Sequence, residues 1–176
     1  MDMKESIITC LRKSFTKKGR ASRSEFWWFA LLVFLVSTVV QIVIGDAMPQ
    51  VSKGHPFMAD LLLELVAGLF LIYAMVAFYF AQTRRLHDVG RSGWWLVTAL
   101  IIGLLADSVM VIDVVAAVRA HEIGAFVTAF VAGQYWGLTL SLVAVLVLNI
   151  TVFVFLVLPG TAGDNRYGQN PLTRNT

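Results

Sequence analysis

Residues 26–44 form 19 consecutive positions without a charged side chain. As a helix rising about 1.5 Å per residue, that run is about 28 Å long, close to the thickness of a bilayer's hydrocarbon core. Three further stretches behave alike. Residues 61–81 are interrupted only by Glu64, and 94–112 only by Asp107. Residues 137–158 are free of charge and end at Pro159-Gly160, where proline cannot continue the backbone ladder. Apolar residues make up 58% of the 176-residue chain and charged ones 14%, against about 45–50% and about 25% in soluble domains. A soluble core of this size cannot hide that much apolar surface, so lipid is the solvent. Hydrocarbon offers no partner for a free N–H or C=O, which makes each span a helix. The expectation is an all-α integral membrane bundle of four transmembrane helices.

Lysine and arginine counts orient it. The segments before the first span, between the second and third, and after the fourth carry seven, three and two basic residues. The two remaining connections carry one each, Lys53 and Arg119. Basic residues favour the cytoplasmic side, so both termini are expected in the cytoplasm. The basic leader of residues 1–25 lacks a small-x-small cleavage signal, so the first span reads as an uncleaved anchor. The single cysteine, Cys10, excludes an internal disulfide framework and any multi-cysteine metal site.

Two segments outside the spans have a pattern of their own. Met3, Ile7, Leu11 and Phe15 fall on one face of residues 3–15, with Lys4, Arg12 and Lys13 elsewhere. That predicts an amphipathic helix lying on the inner leaflet. A frayed basic leader is the alternative. Residues 113–136 begin with Asp113, Arg119, His121 and Glu122. Small residues then recur every four positions at Ala120, Gly124, Thr128 and Ala132. This segment reads as an outer-face helix leading into the fourth span.

The polar information is concentrated in three blocks. The first, GRASRSEFWW at 19–28, contains Arg20 and Arg23. Ser22 and Glu25 have capping-box spacing, which alone accounts for Glu25, and Trp27 and Trp28 follow at headgroup depth. The second, RRLHDVGRSGWW at 84–95, places Arg84, His87, Asp88 and Arg91 on one face if the second helix continues that far. Asp88 can then pair with Arg84 or Arg91, and Arg85 adds a further cation. Gly90 and Gly93 allow a reversal, Ser92 can cap the next helix, and Trp94 and Trp95 follow. The third, GDNRYG at 163–168, supplies Asn165, Arg166 and Tyr167 in a turn-prone segment.

The first two blocks repeat an order: Gly-Arg, a capping serine, then Trp-Trp. Arginine beside the positive end of a helix dipole is unfavourable by itself and makes more sense around an anion, most simply a phospholipid headgroup. Ordinary positive-inside anchoring explains much of the same charge. The three blocks are expected to converge, with Asp88 and Glu25 as counter-charges.

In order, spacing and placement, GRASRSEFWW, RRLHDVGRSGWW and GDNRYGQNP resemble the three hallmark stretches of the bacterial domain-of-unknown-function family 805. The resemblance runs from about residue 15 to 171. It implies a small multi-pass bacterial inner-membrane protein and carries no catalytic assignment or cofactor. The connection at 107–136 is longer than the family's usual one, so nothing transfers there.

No metal-ligand motif, cysteine cluster or phosphate-cradling glycine loop is present, so neither a metal nor a cofactor is expected. No nucleic-acid partner is expected either. The favoured reading is a non-catalytic module that binds anionic lipid headgroups, or a protein partner or second copy, at its cytoplasmic face. One alternative is an enzyme acting on a lipid-linked phosphate, with His87 as acid or base. The other is a small transporter subunit working as an oligomer through Glu64 and Asp107, acids at membrane depth.

Overall fold

Asp2 opens the first helix, its carboxylate accepting the Glu5 amide at 2.8 Å. The computed structural model describes residues 2–51, 57–119, 123–132 and 136–173. Among them the helices are α1 (Met3–Arg12), α2 (Arg23–Val51), α3 (Phe57–Asp88), α4 (Trp94–Arg119), α5 (Ile123–Val131) and α6 (Trp136–Val157). A single isolated bridge, Asn165 to Gly168, is the β-type pairing present. Four stretches are long and apolar enough to cross a bilayer: Arg23–Val43, Leu61–Asp88, Trp94–Ile112 and Trp136–Val157. At most 17% of any of these is buried inside the protein, so their outer surfaces are built to meet lipid.

Helix ends differ from the hydropathy reading. α2 runs to Val51 and α4 to Arg119, past the expected 44 and 112. Leaving hydrocarbon does not stop a helix; only loss of the backbone ladder does. α1 ends at Arg12 instead of residue 15, because Ser14 turns its hydroxyl back onto Leu11 O at 2.7 Å. α5 lies within the region expected to be an outer helix. Ala120, His121 and Glu122 lie outside the described residues.

The chain divides into two compact units, 1–91 with 159–176, and 92–158. In the first, α1 packs on α2 and α3. Its buried side is small and polar, Ser6, Cys10 and Ser14, while Met3, Leu11 and Phe15 stay exposed. On α3, which packs along α2, a row of alanines is buried: Ala67, Ala74, Ala77 and Ala81. Small residues let helix backbones approach closely. Phe26 and Phe29 fill the α2 side, Phe26 stacking on Phe78 at 5.7 Å.

In the second unit α4 packs on α6, with Leu96, Ala106, Leu138, Val152 and Leu156 buried and Trp95 edge-on to Phe155 at 5.4 Å. Ser92 Oγ accepts the Trp94 amide at 3.3 Å, the cap expected for this helix. Polar side chains within α6 satisfy themselves locally: Asn149 donates to Val145 O and Thr151 to Val147 O, at 2.8 and 2.7 Å.

Candidate functional site

The end of α3 sets the geometry. Gly90 adopts φ +76 and donates to His87 O at 3.0 Å, while Arg91 donates to Leu86 O at 2.9 Å. These two bonds form a Schellman stop, which needs a left-handed residue and therefore favours glycine. Arg91 is thus past the helix and exposed. The expected shared face of Arg84, His87, Asp88 and Arg91 does not form.

Asp88 is the hub. Its carboxylate pairs with Arg20 Nε at 2.9 Å and with Arg85 Nη1, three residues earlier on α3. The expected partners, Arg84 and Arg91, are not the ones it uses. The α3 register turns Arg84 toward α1, where it donates to Lys13 O and Thr16 O, both at 2.7 Å, and to Cys10 Sγ at 3.6 Å. Arg84 and Arg85 are fully buried, and Arg84 Nε has no partner. Arg20 also donates to Gly163 O at 2.6 Å and Thr161 O at 2.7 Å, so one guanidinium ties the 13–22 connection to α3 and to the tail.

The tail closes over this hub. Thr161 N donates to Asp88 O at 2.9 Å, Asn165 Nδ2 to His87 O at 2.9 Å, and Ala21 N to Arg84 O at 3.1 Å. His87 stacks on Tyr167 with ring centroids 3.9 Å apart and an interplanar angle of 3°. Arg166 lies over the same tyrosine at 4.8 Å. Gly160 passes so near Asp88 that a Cβ there would lie 2.6 Å from Asp88 Cγ. In the sequence Pro159-Gly160 marks only a helix stop; the close approach leaves no local signal.

Glu25 is 2% exposed and acts chiefly as a cap. Its amide donates to Ser22 Oγ at 3.2 Å and its carboxylate accepts the Ser22 backbone N–H, the reciprocal capping box. It forms no ion pair within 4 Å; Lys13 and Arg84 bear on it electrostatically, while Asp88 takes the ion pairs of Arg20 and Arg85. Cys10 donates to its carboxylate at 3.6 Å. Burial, then the Glu25 carboxylate, pushes the Cys10 thiol up to about 12. Cys10, Lys13, Thr16 and Thr161 are cluster members that no sequence motif marked.

The structure therefore brings Arg20, Glu25, Arg84, Arg85, His87, Asp88, Asn165, Arg166 and Tyr167 into one region of the first unit. Arg23 is exposed beside it, lining a cavity of about 350 Å³ with Ser22, Ser24, Asp88 and Gly160. A second cavity, of about 440 Å³, lies between α1, the 16–20 connection, the start of α2 and the tail; Arg12, Lys13, Lys18, Arg20, Glu5 and Glu25 line it. Trp27, Trp28 and Trp94 are exposed and Trp95 is half-buried, as aromatics near a membrane surface are. Glu64 and Asp107 are exposed on their helices. No group of three or more His, Cys, Asp or Glu side chains with metal-binding geometry occurs among the described residues.

Four lipid-length helices, with a charged cluster formed where α3 ends, define a small multi-pass membrane protein. The chain belongs to the family described as protein of unknown function (DUF805), whose model matches residues 14–169. It is similar to the inner membrane protein YhaI of Escherichia coli (strain K12), 27% identical over 167 residues, covering 93% of this chain and 92% of that one. It is also similar to the inner membrane protein YhaH of the same strain, 32% identical over 84 residues, covering 48% of this chain and 63% of that one. No solved structure matches.

Proposed function

We propose that this protein is a non-catalytic inner-membrane module that holds the phosphate of lipid headgroups at its cytoplasmic face. The orientation rests on the lysine and arginine distribution, and the membrane on the relatives' names. The single observation that carries the reading is the cavity of about 440 Å³ bordered by Arg12, Lys13 and Lys18. Its size falls within the roughly 300–1,000 Å³ of ligand sites.

The buried arginines do not serve this role. Arg20 and Arg85 are committed to Asp88, and Arg84 to backbone carbonyls. Their work is to join α1, α3 and the tail into one frame. Arg12 and Lys18 stand exposed on that frame and Lys13 is half-buried, where phosphate can meet them. Arg23 and Arg91, both exposed, add cationic surface nearby in sequence to the two tryptophan pairs.

Native mass spectrometry of the detergent-purified protein tests this reading. Wild type should retain phospholipid, and the double change Arg12→Gln, Lys18→Gln should release most of it while the melting temperature holds. Equal retention by the variant removes the cavity from consideration. The charge-conserving pair Arg23→Lys, Arg91→Lys then shows whether arginine geometry at the helix starts contributes.

A further inference from the structure

The cavity beside α1 carries both signs of charge, at different depths. Of its lining residues Glu25 is 2% exposed, whereas Arg12, Lys18 and Glu5 are exposed. The Glu25 carboxylate meets a thiol at 3.6 Å and one backbone N–H. Arg20 and Arg85 form their ion pairs with Asp88, not with Glu25. Arg20, the other buried charge in the lining, has its Nε and both terminal nitrogens engaged by Asp88, Gly163 O and Thr161 O. The lining thus combines a buried carboxylate that forms no ion pair with exposed cations in excess.

We propose that this cavity receives a phosphate ester bearing a primary ammonium, the chemistry of phosphoethanolamine. The ammonium sits at Glu25 and the phosphate lies among Arg12, Lys13 and Lys18. This rests on the headgroup reading above and sharpens it from any phosphate to a zwitterion. Lys13 and Arg84 bear on Glu25 electrostatically from beyond ion-pair distance, and a primary ammonium at the carboxylate adds a direct charge and three N–H donors. A trimethylated ammonium has the charge but no donor. A glycerol headgroup has hydroxyl donors but no charge. Thr9, Thr16 and Gln169 complete the lining with neutral polar groups.

The full-length protein, exchanged into nanodiscs holding equal amounts of phosphatidylethanolamine, phosphatidylcholine and phosphatidylglycerol, is extracted and its retained lipid identified by native mass spectrometry. Phosphatidylethanolamine should exceed phosphatidylcholine by about tenfold or more, the ratio expected from one charge-assisted hydrogen bond. Glu25→Gln keeps an acceptor for Ser22, and it should bring the retained ratio of the ethanolamine to the choline lipid close to one. If that variant fails to fold, the wild-type preference decides alone. Soluble phosphoethanolamine is then added to nanodiscs of the same composition. Displacement of bound lipid at comparable concentration assigns the site to a soluble phosphoamine, and failure to displace assigns it to the lipid; both fit the proposed chemistry. Equal retention of the ethanolamine and choline lipids overturns this inference and leaves the headgroup reading standing. Absence of any retained phospholipid, with no binding of soluble phosphoethanolamine, overturns both.

Discussion

Arg20 Nε donates to Asp88 Oδ1 at 2.9 Å across 68 positions of sequence, with both side chains almost sealed from solvent. The pair is the point where the amino-terminal connection, the end of α3 and the tail meet. Each of the three approaches it through a different group: a guanidinium, a carboxylate and two tail carbonyls.

Breaking that pair on one side should be severe. Asp88→Asn leaves Arg20 buried without its counter-charge, at a cost of about 3–5 kcal/mol. A thermal melt in mild detergent checks this. Adding Arg20→Gln should recover part of the loss, because that stranded cation is then gone. A double variant no better than Asp88→Asn would mean that Arg85 carries the whole interaction.

Gly160 and Gly163 should respond differently to the same methyl group. A Cβ at Gly160 meets Asp88, whereas one at Gly163 meets nothing within 4 Å. Gly160→Ala should destabilise by about 1–3 kcal/mol, as overpacking does. Gly163→Ala should stay within about 0.5 kcal/mol of wild type. Paired melting curves decide it.

Cys10 should be inert in the folded protein. It is fully buried and its thiol titrates near 12, against 9.0 ordinarily. N-ethylmaleimide at pH 8 should modify it only after the protein is unfolded in dodecyl sulfate. The folded pKa is raised, so the stability linked to the protonated thiol is complete below pH 9 and declines as pH rises from 9 toward 12. Cys10→Ser should flatten that decline in melting temperature.

Topology is checked by reporter fusions. Those at residue 52 and after residue 122 should read periplasmic, and those after 90 and 176 cytoplasmic. A cytoplasmic signal from either of the first two would contradict the lysine and arginine orientation.

The four spans could be read from sequence because hydrocarbon imposes a local rule. Every backbone group must be satisfied within its own segment, so about 20 apolar residues suffice to declare a helix. The Ser22–Glu25 capping box was legible for the same reason, since both partners lie within one turn. The three polar blocks were visible as composition, and within the first unit Arg20, Asp88 and Asn165 from the three of them meet. Pairing was not legible. Arg20, Arg84, Arg85 and Arg91 carry the same charge, and sequence spacing favoured Arg84 and Arg91 for Asp88. Tertiary structure chose otherwise. The Gly90 stop ejects Arg91 from the helix, the α3 register turns Arg84 onto the carbonyls of Lys13 and Thr16, and Arg20 arrives from 68 residues away. Nor did any local pattern show that α1 docks through Ser6, Cys10 and Ser14, or that Gly160 must lack a side chain. Those outcomes depend on which segments pack together, and charge and periodicity within a single segment do not encode that.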